Sequence, residues 1–202
     1  MVGRGRGRLG AGLSSVHHTY DAVPADSLEP PFPRRLEINI SNACNLQCVM
    51  CNGDYSSAIR LHREGRPALP KVYGDEFFDD LAAIVPHLIE VSFTDGEPFL
   101  VPEYYRIWDM IAELNPDLPV RITTNGTQWN RRVERVLGML RCEINVSIDG
   151  FTKETYEAVR VGADHATVFA NLERFVASCR ERGTPLSIYH CLMPQNYHEL
   201  GD

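Results

Sequence analysis

The chain has 202 residues, 44% hydrophobic and 23% charged, which is enough apolar material for the core of one ordinary domain and too much for a disordered chain. No run approaches the roughly 18 uninterrupted apolar residues needed to cross a bilayer, and the mean hydropathy of −0.23 agrees, so no membrane partner is expected. A net charge of −7 lacks the basic surface that phosphate neutralisation demands, so no nucleic-acid partner is expected either.

The opening Gly/Arg alternation from Gly3 to Arg8 is not followed by an apolar run before His17, so it is no secretion signal. A cytoplasmic location follows, and the six cysteines are then not a disulfide framework. A transit peptide or RNA-binding arm is the lesser reading of this start. Residues 1–34, with Pro24, Pro30, Pro31 and Pro33, form a flexible lead-in, and the fold is expected over 35–202.

The first strand is Arg35 to Ile40, alternating in polarity and stopping at Ser41-Asn42. Further strands are predicted at Glu90 to Thr94, Val120 to Thr124, Glu143 to Ile148 and Leu186 to Met193, closed respectively by Asp95-Gly96, Asn125-Gly126, Asp149-Gly150 and Pro194. Helix-like stretches lie between them at Phe77 to Leu88, Tyr104 to Leu114, Arg131 to Leu140 and Thr167 to Arg182. Alternating strands and helices with crossover-length intervals make an α/β protein with a parallel sheet, either a β/α barrel or an open doubly wound sheet.

Three cysteines, Cys44, Cys48 and Cys51, follow the first strand within eight residues, at the strand end where α/β active sites lie. Thiolates favour zinc or iron–sulfur clusters over hard cations. A structural zinc site is closed by four protein ligands, and His62 is the nearby candidate for a fourth. Three cysteines on a [4Fe–4S] cluster leave one iron open, which makes the site reactive. Cys142, Cys179 and Cys191 read as core or near-core thiols, and the seven histidines show no ligand spacing.

This Cys-x3-Cys-x2-Cys loop resembles that of the radical S-adenosylmethionine (radical SAM) enzymes. The resemblance extends over roughly residues 35–200: Thr94-Asp95-Gly96-Glu97-Pro98 is similar to the family's Gly-Gly-Glu-Pro stretch, Thr123 to Gly126 to its third-strand end, and Val146 to Gly150 to its fourth. It implies a partial β/α (TIM-like) barrel of six parallel strands, five of them visible here. It also implies a [4Fe–4S] cluster with S-adenosylmethionine on its open iron, reductive carbon–sulfur cleavage to a 5′-deoxyadenosyl radical, and a flavodoxin- or ferredoxin-type electron donor. On this resemblance Cys44, Cys48 and Cys51 bind the cluster. Asp95, Gly96 and Glu97 hold the methionine ammonium, Asn125 and Ser147 reach polar groups of the cofactor, Arg160 pairs with the methionine carboxylate, and Met50 and Leu192 flank adenine. No residue is assigned to the step on the substrate.

Two departures stand out. Asp95 replaces the first glycine of the family stretch, and Met50 stands where an aromatic is common. The Ser147-Ile148-Asp149-Gly150 segment, Tyr156-x3-Arg160 and Cys191 to Asn196 most resemble the subgroup with a C-terminal twitch or SPASM extension, which points to a peptide substrate and to a core ending early at its C-terminus. Asp149-Gly150 is read as turn chemistry, and Thr152 with Glu154 as a helix start. The rival readings are a zinc-binding structural module and an inactive fragment of the fold.

Overall fold

The computed structural model describes residues 32–199, and five parallel strands form its single sheet: β1 (Arg35–Ile38), β2 (Glu90–Phe93), β3 (Pro119–Thr124), β4 (Arg141–Ser147) and β5 (Leu186–Tyr189). The helices are α1 (Ser57–His62), α2 (Asp75–Ile84), α3 (Pro102–Leu114), α4 (Arg131–Met139), α5 (Lys153–Val159) and α6 (His165–Arg182). Each strand pairs with its neighbour in sequence, and all four pairings are parallel.

That order decides between the two architectures open to an alternating α/β chain. A doubly wound sheet reverses its strand order at a switch point and so carries helices on both faces. Here the order runs β1 to β5 without reversal, so right-handed crossovers put every connecting helix on one face. The result is a partial β/α barrel.

The two faces differ as this architecture requires. Ile38, Val91, Phe93, Val120, Ile122, Cys142, Ile144 and Val146 are buried on the helix side. Fully buried Trp108 of α3 meets Phe93 and Phe99 at 5.5 Å and Tyr105 at 4.9 Å between ring centroids. The opposite face is polar. Across it Arg35 pairs with Glu90 at 3.3 Å, Glu90 with Arg121 at 2.6 Å and Arg121 with Glu143 at 3.3 Å, a charge ladder joining four strands. Such alternate charges satisfy one another where the barrel interior has no apolar filling.

Some expected boundaries move. The described fold starts at Phe32, whose ring stacks on His87 at 3.9 Å, and Ile89 N–H donates to Arg34 at 2.8 Å. The rest of the 1–34 lead-in lies outside the described residues. β5 ends at Tyr189 rather than Met193, because its last bond to β4 is Ile148 N–H to Tyr189 at 2.9 Å and the chain then turns. Cys191 is exposed, correcting its reading as a near-core thiol, whereas Cys142 and Cys179 are buried. Among the described residues no helix is long and apolar enough to cross a membrane.

Candidate metal and cofactor site

The loop between β1 and α1 is shaped by its own backbone and by the helix that follows. Asn42 Nδ2 donates to Gly53 at 2.9 Å, Ser56 Oγ to Leu46 at 2.6 Å, and Ser57 Oγ to Cys44 at 3.1 Å. Ser56 also caps α1 through Ile59 N–H, so one short helix supplies both its N-cap and the loop's hydrogen bonds. On its far side the loop is held by a distant segment: Gln47 N–H donates to Val161 at 2.8 Å and Val49 N–H to Val159 at 3.0 Å. These two bonds bracket Arg160 and seat it beside Cys48.

β2 approaches from the other direction. Glu97 N–H donates to Ala43 at 2.7 Å, and Gly96 has φ of 62° with Ala43 O where a side chain would begin, 2.5 Å from an added Cβ. Glycine is therefore required at 96 both by conformation and by contact. Asp95 needs no glycine, since no described residue other than glycine has a positive φ. The departure from the family stretch thus costs no backbone strain.

Around a cavity of about 360 Å³ stand Cys44, Cys48 and Cys51, with Met50, Asp95, Gly96, Asn125, Ser147, Arg160, Tyr55, Asn52, Thr94, Thr123 and Thr124. Nine of the eleven predicted site residues are in that lining; Glu97 and Leu192 are not. Burial pushes the thiols up, Cys48 to about 11 despite the nearby Arg160 guanidinium, and Cys44 and Cys51 in the same direction. Asn125 aims Nδ2 at Cys44 Sγ (3.8 Å) and Asn45 Oδ1 (3.1 Å).

Glu97 has another task. Fully buried, its carboxylate accepts from Thr124 Oγ1 at 2.8 Å, Asn125 N–H at 2.7 Å and Phe99 N–H at 3.2 Å. It straps the end of β2 to the end of β3 and is not in the cavity lining. Burial pushes its carboxyl up to about 7, against the pull of its three donors. Leu192 is 63% exposed, past the shortened β5, and is not in the cavity lining.

Three thiols on one cavity are a soft donor set that fits an iron–sulfur cluster. Among the described residues no three of His, Cys, Asp and Glu are grouped closely enough for one metal ion, and His62 lines a separate cavity on the other side of Cys44. A cubane is ligated at separate corners by thiolates, and these three thiols line one shared cavity. A further polar group went unread in the sequence. Asp149, fully buried, pairs with Arg160 at 2.6 Å, and nothing in an Asp-Gly pair after a strand distinguishes it from an ordinary turn.

The family model for the radical SAM superfamily matches residues 38–202. The chain belongs to the radical SAM superfamily. A radical SAM core holds a [4Fe–4S] cluster and S-adenosylmethionine, and the three thiols and the polar cavity beside them are the fit for that pair. The chain is 28% identical over 200 residues to the GTP 3′,8-cyclase of Streptomyces coelicolor, covering 96% of this chain and 52% of that protein. It is 26% identical over 197 residues to the enzyme of the same name from Rhodococcus opacus, covering 95% and 51%, so the chain spans about half the length of these curated relatives. Among solved structures, SuiB of Streptococcus suis bound to its precursor peptide SuiA superposes with a TM-score of 0.61 at 18% identity, covering 84% of this chain and 35% of that one. These last figures speak for the radical SAM barrel fold.

Proposed function

We propose that this chain is the radical-initiating core of a radical SAM enzyme, with Cys44, Cys48 and Cys51 on the cluster and S-adenosylmethionine in the adjoining cavity. The convergence of three thiols with Asn125, Ser147 and Arg160 around one cavity carries this reading. Together the cluster and S-adenosylmethionine supply one-electron reductive cleavage of a carbon–sulfur bond and hence a carbon radical that takes hydrogen from a substrate.

The chain's own residues bind and orient. Arg160 presents guanidinium N–H groups to a carboxylate, a fork–fork fit that a point charge cannot copy. Asp95 sets a carboxylate at the cavity wall for an ammonium, and Ser147 and Asn125 offer hydroxyl and amide groups. Met50, 40% exposed at the cavity mouth, gives a polarizable surface for a base. Glu97 keeps the β2 and β3 ends in register under these groups.

For the substrate, the relatives' name favours a purine nucleotide that is cyclised, in a cytoplasmic, reducing setting with a small electron-transfer protein as donor. Peptide modification by a protein with a twitch- or SPASM-type extension is the second reading, favoured by the Ser147-Ile148-Asp149-Gly150 and Tyr156-x3-Arg160 spacing. The test is anaerobic reconstitution with iron and sulfide, then reduction with S-adenosylmethionine present. Formation of 5′-deoxyadenosine and methionine supports the core reading; their absence from a cluster-loaded chain overturns it. Deuterium moving from labelled GTP into 5′-deoxyadenosine selects the nucleotide, and turnover stimulated only by peptide selects the second reading.

A further inference from the structure

A buried carboxylate persists only where its charge and lone pairs are satisfied, and Asp149 is satisfied from two directions at once. Its Oδ2 accepts Nε and Nη2 of Arg160 at 2.7 and 2.6 Å. Its Oδ1 accepts Cys191 N–H at 2.6 Å. The Asp149 carbonyl accepts Asn196 Nδ2 at 3.0 Å, the same amide reaches Cys191 O at 2.8 Å, and Asn196 Oδ1 accepts Met193 N–H at 2.7 Å. Asn196 is itself fully buried. Residues 191–196 therefore form a turn pinned to the residue that grips Arg160.

Gly150 makes this possible. A Cβ there would stand 2.7 Å from the Tyr156 nitrogen, so the missing side chain lets the turn after β4 lie directly on α5 and brings Asp149 within reach of the arginine at that helix's end. The grip also orients Arg160. A guanidinium has five N–H donors, and Asp149 takes one from Nε and one from Nη2. The Nη1 pair and the second Nη2 proton are left for the cavity that Arg160 lines, which is the edge a second carboxylate meets in parallel.

We propose that Asp149 is a positioning residue that couples capture of the S-adenosylmethionine carboxylate by Arg160 to the seating of the Cys191–Asn196 turn at the strand ends. The proposal rests on the reading of this cavity as the S-adenosylmethionine site. Coupling is reciprocal: by whatever factor the ligand suppresses opening of the turn, the open turn binds the ligand that much more weakly.

The experiment uses the cluster-loaded 202-residue chain under anaerobic conditions, with calorimetric titration of S-adenosylmethionine and hydrogen exchange of the 190–197 peptide. Saturating S-adenosylmethionine slows exchange at Cys191 and Met193 by about fivefold or more in the wild type. Asp149→Asn, which keeps an acceptor for Cys191 but releases Arg160, raises Kd by about tenfold and abolishes the ligand-dependent slowing while the visible absorbance of the cluster is retained. Asn196→Ala leaves Asp149 and Arg160 in place; it speeds exchange at Cys191 and Met193, and Kd rises in inverse proportion to the fraction of chains whose turn stays closed. A wild-type chain that binds S-adenosylmethionine with exchange unchanged, or an Asp149→Asn chain that keeps both its Kd and the ligand-dependent slowing, overturns the coupling alone. A cluster-loaded wild type with no binding at all overturns the site reading and the coupling with it.

Discussion

Cys48 and Cys142 show how far one residue type can differ in use. Cys48 faces the cavity beside Arg160, whereas Cys142 lies inside the sheet against the helices. Cys48→Ala is expected to remove the cluster, with iron falling from roughly four per chain to near zero. Cys142→Ala should keep the iron and lose about 1 kcal/mol of stability for the deleted sulfur. Iron analysis and urea unfolding of the two variants measure both effects, and equal iron in Cys48→Ala and wild type would sink the assignment. Glu97 sets a pH dependence of its own. Its carboxyl ionises near 4.5 in an unfolded chain and about 7 in the folded one, so the native state holds the extra proton between those values. The stabilisation is complete below about 4.5 and is lost as the pH rises through 7, on the order of 3 kcal/mol at most by the cost of one pKa unit. Urea midpoints of the metal-free chain should fall over that interval, and Glu97→Gln should flatten the fall.

Elements were legible where their periodicity ran long enough. β3 and β4 alternate through six and seven residues, and α6 carries Val168, Phe175 and Cys179 on one buried stripe; all were visible as pattern. α1 has six residues and α5 seven, too few turns for a stripe, and α1 exists because Ser56 caps it and the cysteine loop hangs from it. The apolar run through Leu192 and Met193 suggested a longer β5, but a strand extends only as far as its neighbour offers partners, and β4 stops at Ser147. The cysteine spacing alone singled out the three thiols that the fold brings to one cavity. Asp149 could not be singled out, because burial is what distinguishes it and burial is a property of packing. The junction between β2 and the loop offers a test at this scale. Gly96→Ala forces an L-residue to a φ of 62° with its Cβ 2.5 Å from Ala43 O, at a cost of about 1–3 kcal/mol from conformation alone. A lowered Tm with reduced iron retention is expected; an unchanged Tm would show that β2 and the loop can separate freely.

At the scale of the whole molecule, the monotonic strand order places each β-strand's C-terminal end beside the next, so groups from β1, β2, β3 and β4 converge on one rim. The charge ladder across the polar face ties those strands together from within. The rim is complete only when the segment around Arg160 is present. A chain cut after Ser147 keeps all three cluster thiols but loses Asp149, Arg160 and the carbonyls of Val159 and Val161. Such a fragment is expected to hold iron poorly, and full retention of iron and visible absorbance would show that the loop shapes itself.

The two backbone bonds from Gln47 and Val49 to Val161 and Val159 have a consequence in time as well as in space. A ribosome delivers the thiols early and the carbonyls that shape their loop much later, after three further strands have emerged. Until then the nascent thiols stand in an unformed loop, open to chance metals and oxidants. On the proposed reading of the three thiols, cofactor loading is therefore expected late in the life of the polypeptide, after β4 has joined the sheet, instead of seeding it.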